Sequence, residues 1–337
     1  MSDAKILISV NGRFLSKVNS SGVQNWSHWF LSVLVSDSRF NINVIQPSDF
    51  FAHGIRGHFW EQFILPFKVS SDSTLLSPAN WGPIFRRNQA LVIHDLLPIS
   101  NPSSFSRKYR FMVKFSVKFL LPRMKFLCTV SENSRQQLAE VLKVDTSEIS
   151  VLGAGIRFRP EAPSTEVNRT GFLFVAGENP RKNLRFILDF WAEIYNQTLE
   201  PLNVTHRAQE NILPNLDFPL DTLGVIFNLN PTDKQLAELY AKSIALLWPS
   251  TGEGYGLPLQ EAMIHGTPFL STDTGVASEL CVGNSRIVSL EPETWKHEIL
   301  RLVKEKHNLN PIEQWDKAVN LDLLNGREEF FRRITSK

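Results

Sequence analysis

The sequence predicts an α/β protein built as two halves, each a parallel sheet covered by helices. Three observations carry that expectation. Short apolar runs of strand type alternate with amphipathic helical stretches. The 337 residues exceed what a single core of ordinary size holds, so two domains are expected. Polar residues also follow the apolar runs, at the strand ends where such folds bind ligands.

In the first half, Lys5–Val10 reads as the opening strand, followed by the turn Asn11–Arg13 and a polar loop holding Ser21 and Gly22. The next stretch is a helix with Trp26, Phe30 and Leu34 inward, and Ile42–Ile45 is a second strand. Leu91–Ile93 forms a buried strand that ends at His94 and Asp95. Phe126–Val130 runs into a polar junction, Ser131–Asn133, and then a helix. In the second half, residues 172–177 are a strand. Residues 183–195 are a helix with Asn183 as N-cap and Leu184, Ile187, Leu188, Trp191 and Tyr195 on its apolar face. Thr232-x-x-Gln235 is a capping box that starts another helix, and residues 244–250 hold the next buried strand. The seam falls near 155–170, where apolar periodicity lapses, and 198–220 reads as a surface excursion within the second domain. One site gathering His94, Ser131, Gly177 and Glu253 from these strand ends is the economical reading.

Composition narrows the class. Hydrophobic residues make up 42% and charged residues 21%, as in a soluble globular protein; the net charge of +2 makes a bulk electrostatic role unlikely, and no nucleic-acid partner is expected. Cys128 and Cys281 form neither a disulfide framework nor a metal-ligand set, and free thiols suit a reducing cytosol. The start has no signal-peptide layout, and no apolar run reaches the roughly 18 residues a spanning helix needs.

The most informative stretch is EGYGLPLQEAMIHGTPFLS, residues 253–271. Gly254 and Gly256 permit backbone that a side chain would obstruct, Pro258 suits a helix start, and Gly266 suits its end. Glu253 then lies in the loop and Glu261 on the first helical turn. Two readings fit. The glutamates could simply cap the helix, or they could flank a helix N-terminus that cradles phosphate, as a ligand carrying phosphate and hydroxyls requires.

EGYGLPLQEAM resembles the E-x7-E signature of family 4 retaining glycosyltransferases of the GT-B fold. PRKNLRFIL is similar to that family's basic phosphate-binding segment, and KQLAELYAKSIALLWPS to the helix and strand before E-x7-E. TVSENSRQQL and VIHDLLPISNP are similar to the N-domain exit strand and the active-site histidine segment. NGRFLSKVNSSGVQNW, with WEQFILP and LLSPANWGP, resembles the opening of bacterial members that build surface polysaccharides.

The resemblance implies two Rossmann-like domains facing a central cleft, 1–160 for the acceptor and 170–337 for the nucleotide-sugar donor, with a last helix that can cross back. It implies that Glu261 binds the donor ribose, Glu253 the transferred sugar, and Gly254, Tyr255, Gly256 and Leu257 the donor through backbone. Lys182, helped by the helix N-terminus at Asn183, would neutralise the diphosphate, with Arg181 also in the donor site; His94 would sit beside the reacting sugar, and Gly22 would let the first loop approach the diphosphate. Glu253, His94 and Lys182 would thus be catalytic, with a nucleotide-sugar co-substrate, no other cofactor and no metal. One departure stands out: many relatives carry an arginine just after the strand-ending glycine, where Ala176 and Gly177 stand here, and Arg181 is the nearest replacement. A sugar-nucleotide epimerase and a non-catalytic glycosyltransferase-like subunit are the alternative functions.

Residues 103–127 hold seven basic residues (Arg107, Lys108, Arg110, Lys114, Lys118, Arg123, Lys125) and no acidic one. On a helix Arg107, Arg110, Lys114 and Lys118 share a face, and Phe111, Phe115 and Phe119 line another. Either the phenylalanines pack against the first sheet, or the helix lies on an anionic membrane and presents a lipid-linked acceptor. The second reading places the protein in the cytoplasm, peripheral to the inner face of the plasma membrane.

Overall fold

A computed structural model of the chain describes residues 5–16, 22–153, 162–163, 168–175, 180–206, 224–323 and 327–335. Ser21, Ala176, Gly177 and most of the expected seam and of 198–220 lie outside these residues. The chain divides into unit 1, Met1–Arg157 with Leu324–Lys337, and unit 2, Phe158–Leu323.

Unit 1 contains β1 (Ile6–Asn11), β2 (Phe40–Ile45), β3 (Thr74–Ser77), β4 (Gln89–Ile93), β5 (Phe126–Thr129) and β6 (Ile149–Val151). All pair in parallel, in the order β2-β1-β3-β4-β5-β6. Its helices in the amino-terminal stretch are α1 (Gly22–Ser36), α2 (Gly54–Phe63), α3 (Leu65–Lys68), α4 (Leu97–Ser100), α5 (Arg107–Phe115) and α6 (Glu132–Leu142). Trp26, Phe30 and Leu34 on α1 are buried, as their spacing predicts. Every residue of β4 is buried, because parallel strands covered on both faces have no wet side.

Unit 2 contains β7 (Phe172–Val175), β8 (Leu202–His206), β9 (Val225–Leu229), β10 (Ala245–Trp248), β11 (Phe269–Ser271) and β12 (Arg286–Ile287), in the order β12-β11-β10-β7-β8-β9 and again parallel. Its helices are α7 (Leu184–Thr198), α8 (Asp233–Lys242), α9 (Leu257–Ile264), α10 (Val276–Leu280), α11 (Pro292–Glu305) and α12 (Pro311–Leu323). Ile187, Leu188, Trp191 and Ile194 of α7 and Trp295, Ile299 and Leu302 of α11 share one core with β7, β8 and β10. The capping box forms: Thr232 accepts from the Gln235 amide, and the Gln235 side chain accepts from the Thr232 amide. The final helix, α13 (Arg327–Thr335), belongs to unit 1, where Phe331 lies 5.0 Å from Phe40 and Phe330 6.2 Å from Phe30.

In each sheet the order reverses once, beside β1 and β3 in unit 1 and beside β7 and β10 in unit 2. Carboxyl ends at such a reversal diverge and leave a crevice for ligand.

Three local expectations need correction. Asn183 occupies the N-cap position of α7, but its backbone is left-handed (φ 60°, ψ 40°) and its side chain caps nothing. A capping side chain needs extended backbone to reach the second or third amide. Glu261 is in the second turn of α9, because the helix begins at Leu257 and its first turn has no acid. Phe111, Phe115 and Phe119 do not pack inward; all three are exposed, and Leu120 and Leu121 fill the core instead.

Candidate active site

A largely buried charged cluster in unit 2 forms where β10 leaves its sheet. Ser250 Oγ and Lys182 Nζ both donate to Glu253 Oε1, each at 2.6 Å, and Arg181 Nη1 stands 3.1 Å from Oε2. The Thr251 N–H donates to the Arg181 carbonyl at 3.0 Å, so backbone ties the loop after β10 to the turn Pro180–Lys182. The Lys182 ammonium lies 3.8 Å from the centroid of the Trp248 ring, which is fully buried. Burial pushes the Lys182 pKa down, and Glu253 opposes that shift. Two cations, Arg181 and Lys182, meet on one carboxylate here.

Beyond Glu253 the chain enters α9 through Gly256, at φ 73°, where an added Cβ would be strained and would meet Leu259 Cδ1 at 3.1 Å. Gly256 at the N-cap has no side chain to cap this start. Glu253 is held by Lys182, and Glu261 Oε2 accepts from Tyr240 Oη at 2.9 Å. Tyr240, on α8, is buried and stacks on His265. Burial first, and Glu261 second, raise its pKa well above the phenol range, so it stays a donor. Glu261 also acts electrostatically on Lys182. At the far end, Thr267 N–H bonds Ala262 O and Gly266 N–H bonds Met263 O, with Gly266 at φ 66°. This paired closure ends α9 at the position its glycine predicts.

Arg181, Lys182, Glu253, Gly254, Tyr255, Gly256, Leu257 and Glu261 are therefore all residues of unit 2, and Gly22 and His94 are residues of unit 1. Gly22 is the first residue of α1, exposed. One turn on, Trp26 packs edge-on against the His94 ring with centroids 4.9 Å apart. His94 Nε2 is 2.8 Å from the Pro78 carbonyl, and its amide donates to Asn80 Oδ1 at 2.7 Å. Burial lowers the His94 pKa to about 4, the Pro78 bond opposing it. A carbonyl only accepts, so the neutral ring carries its proton on Nε2 and leaves Nδ1 as an acceptor.

That shift has a consequence for stability. Between pH 6.5 and about 4 the unfolded chain binds a proton at His94 that the folded chain does not. Stability from this group is complete above pH 6.5 and is lost as pH falls towards 4, by up to about 3 kcal/mol. Urea unfolding of wild type and His94→Gln from pH 7 to 4.5 measures this, and the wild type should lose more stability. Parallel pH profiles would remove the assignment.

Sequence reasoning missed Tyr240, Trp248 and Ser250. The signal for Ser250 was its place in the polar exit of a buried strand; the two aromatics read only as core.

The two doubly wound units have the fold of GT-B glycosyltransferases, and the chain is similar to enzymes of bacterial surface-polysaccharide synthesis. More particularly, residues 169–305 match the family described as "Glycosyl transferases group 1". The chain is 28% identical over 257 residues to the O-antigen chain mannosyltransferase RfbU of Salmonella typhimurium, a match covering 72% of this chain and 68% of that one. Two Escherichia coli mannosyltransferases are matched over only 55% and 26% of their own lengths. Among solved structures, WaaG, a glycosyltransferase involved in lipopolysaccharide biosynthesis, superposes with a TM-score of 0.64 at 14% identity, covering 98% of this chain and 100% of WaaG. Anabaena HepE in complex with UDP gives 0.68 at 14% identity, covering 99% and 100%. At that identity the two structures bear on fold alone.

Proposed function

We propose that the protein is a retaining glycosyltransferase that moves a hexosyl group from a nucleotide-sugar to a hydroxyl of a lipid-linked glycan during bacterial surface-polysaccharide synthesis. The observation that carries this reading is the Lys182–Glu253–Arg181 cluster at the strand-order reversal of unit 2. Lys182 and Arg181 hold the diphosphate. Glu261, aimed by Tyr240, accepts from the ribose hydroxyls, and Glu253 accepts from hydroxyls of the sugar once Lys182 turns to phosphate. The bond from the anomeric carbon to phosphate breaks, and the bond to the acceptor oxygen forms on the same face. The acceptor proton goes to the departing phosphate oxygen. Lys182 counts most as negative charge accumulates on that oxygen. In unit 1, His94 offers Nδ1 to a sugar hydroxyl as a neutral acceptor.

The test is a transfer assay, starting with mannosyl donors because RfbU and its E. coli counterparts are mannosyltransferases by name. Product with the donor's anomeric configuration supports the reading; an inverted product, or donor epimerised without acceptor, overturns it. Because two cations are available to the diphosphate, turnover should survive EDTA. Complete loss on chelation, restored by Mg²⁺ or Mn²⁺, would show that the cations do not suffice. Among the described residues no helix is long and apolar enough to cross a membrane. We place the meeting with a lipid-linked acceptor at the cytoplasmic leaflet, on the surface of unit 1 that carries 103–127.

A further inference from the structure

Unit 1 contains an apolar groove of about 290 Å³ whose walls include His58 and Gln62 of α2, Trp81 of the loop after β3, and Phe111, Met112 and Phe115 of α5. That size lies at the lower edge of the roughly 300–1,000 Å³ typical of ligand sites. Its surroundings are unusual for a water-facing surface. On α5 and the π-turn that continues it, Phe111 is 71% exposed, and Phe115 and Phe119 lie with tilted rings, centroids 4.7 Å apart, while still partly exposed. On α2, in the row beside His58 and Gln62, Ile55, Phe59 and Phe63 recur every fourth residue and are exposed by 79%, 51% and 57%. Two helices thus flank one groove with exposed apolar side chains, a pattern that marks a binding surface.

The charge that the segment 103–127 brings to it is of one sign. None of the seven basic residues in 103–127 has an ion pair among the described residues, and the segment contains no acid. Lys118 rests over the Phe119 ring at 5.3 Å, so cation and aromatic share one edge of the surface. Glu61 of α2 is buried and neutralised by Arg13 at 2.9 Å, and Asn11 donates to it at 2.7 Å, so α2 adds no repelling carboxylate to the surface. Trp81 belongs to the loop that leaves β3, next to the strand-order reversal of this sheet.

We propose that the groove between α2 and α5 takes one hydrocarbon chain of a phosphate-headed lipid from an anionic bilayer, with the exposed phenylalanines in the interface and the cations of α5 on the headgroups. This rests on the reading above that the acceptor is lipid-linked, and it names the part of unit 1 that receives the lipid. Exposed aromatics gain by leaving water for the headgroup boundary, and lysines beside them are drawn to anionic phosphate. The apolar walls need a tail; the charge alone would need only a surface.

The test uses the whole protein with vesicles of phosphatidylcholine, with and without phosphatidylglycerol, some carrying bromine on the acyl chains. Wild type should co-sediment with the anionic vesicles, and brominated chains should quench a part of its tryptophan fluorescence that Trp81→Phe lacks. Phe111→Ser with Phe115→Ser, compared at a thermal stability matching the wild type's, should abolish that quenching and weaken sedimentation. Lys114→Glu with Lys118→Glu should weaken sedimentation by about tenfold or more and raise its salt sensitivity. Equal quenching in wild type and Trp81→Phe overturns chain entry. So does sedimentation that the lysine pair controls and the phenylalanine pair leaves unchanged. Neither readout requires turnover, so donor-induced stabilisation, measured on the same samples, can persist when the groove assignment fails and can fail when it holds.

Discussion

Lys182→Ala should lower kcat by about 10²–10³-fold, the loss typical when one charged stabiliser of a developing anion is removed. Lys182 is placed for that work by three contacts: Glu253 at 2.6 Å, the Trp248 ring at 3.8 Å, and a turn locked to the loop after β10. If Lys182 serves the leaving group, its charge matters most once the diphosphate departs, so KM should change far less than kcat. The alanine variant also leaves Glu253 with Arg181 as its remaining ionic partner in a buried setting, which threatens folding. Lys182→Gln retains much of the stem and a donor for Glu253, and separates charge from stability. If Lys182→Gln folds with wild-type stability and turns over at the wild-type rate, Lys182 does not serve the leaving group.

Glu261→Ala should weaken nucleotide binding by about 10- to 100-fold, since ribose hydroxyls lose a charged acceptor worth roughly 1.5–3 kcal/mol. The expected pattern extends to Tyr240→Phe, which leaves the carboxylate in place but removes the bond at 2.9 Å that aims it. That variant should weaken binding by a smaller factor, about threefold to tenfold, with kcat nearly unchanged. Titration calorimetry with the nucleoside diphosphate reads both. Equal losses of affinity and of kcat in Tyr240→Phe would mean that the tyrosine supports the fold of α8 and α9 generally rather than the ribose contact.

Much of this architecture was legible because its local rules agree with its packing. Leu91–Ile93 lies in a strand that is buried throughout, as a continuous apolar run requires. Thr232 and Gln235 form the box their spacing predicts, and Gly266 closes α9 where a glycine can take positive φ. The misreadings fall where one pattern permits two structures. Asparagine is favoured both at an N-cap and in left-handed backbone, and Asn183 takes the second. The phenylalanines of 103–127 repeat at helical spacing whether they face core or solvent. Leu120 and Leu121, supplied by the π-turn and the short turn after it, occupy the core in their place.

In the site, the residue types were legible and their pairing was not. Lys182 and Glu253 are 71 positions apart, and Tyr240 and Glu261 are 21 apart; contacts of that range come from topology. A carboxylate already held by a lysine is also invisible to spacing. Tyr240 and Trp248 looked like core because they are core; each is buried and still presents one edge or face to a functional charge.

If unit 2 holds a nucleotide-sugar through Lys182 and Glu261, thermal unfolding with UDP-, GDP- and dTDP-sugars will show it as ligand-dependent stabilisation. At about one hundred times its Kd, the right donor should raise the unfolding temperature of the unit 2 transition by about 5–10 °C. Glu261→Ala should lose most of that rise at the same donor concentration. No stabilisation by any nucleotide-sugar, or an equal rise in wild type and Glu261→Ala, would contradict the assignment of this site.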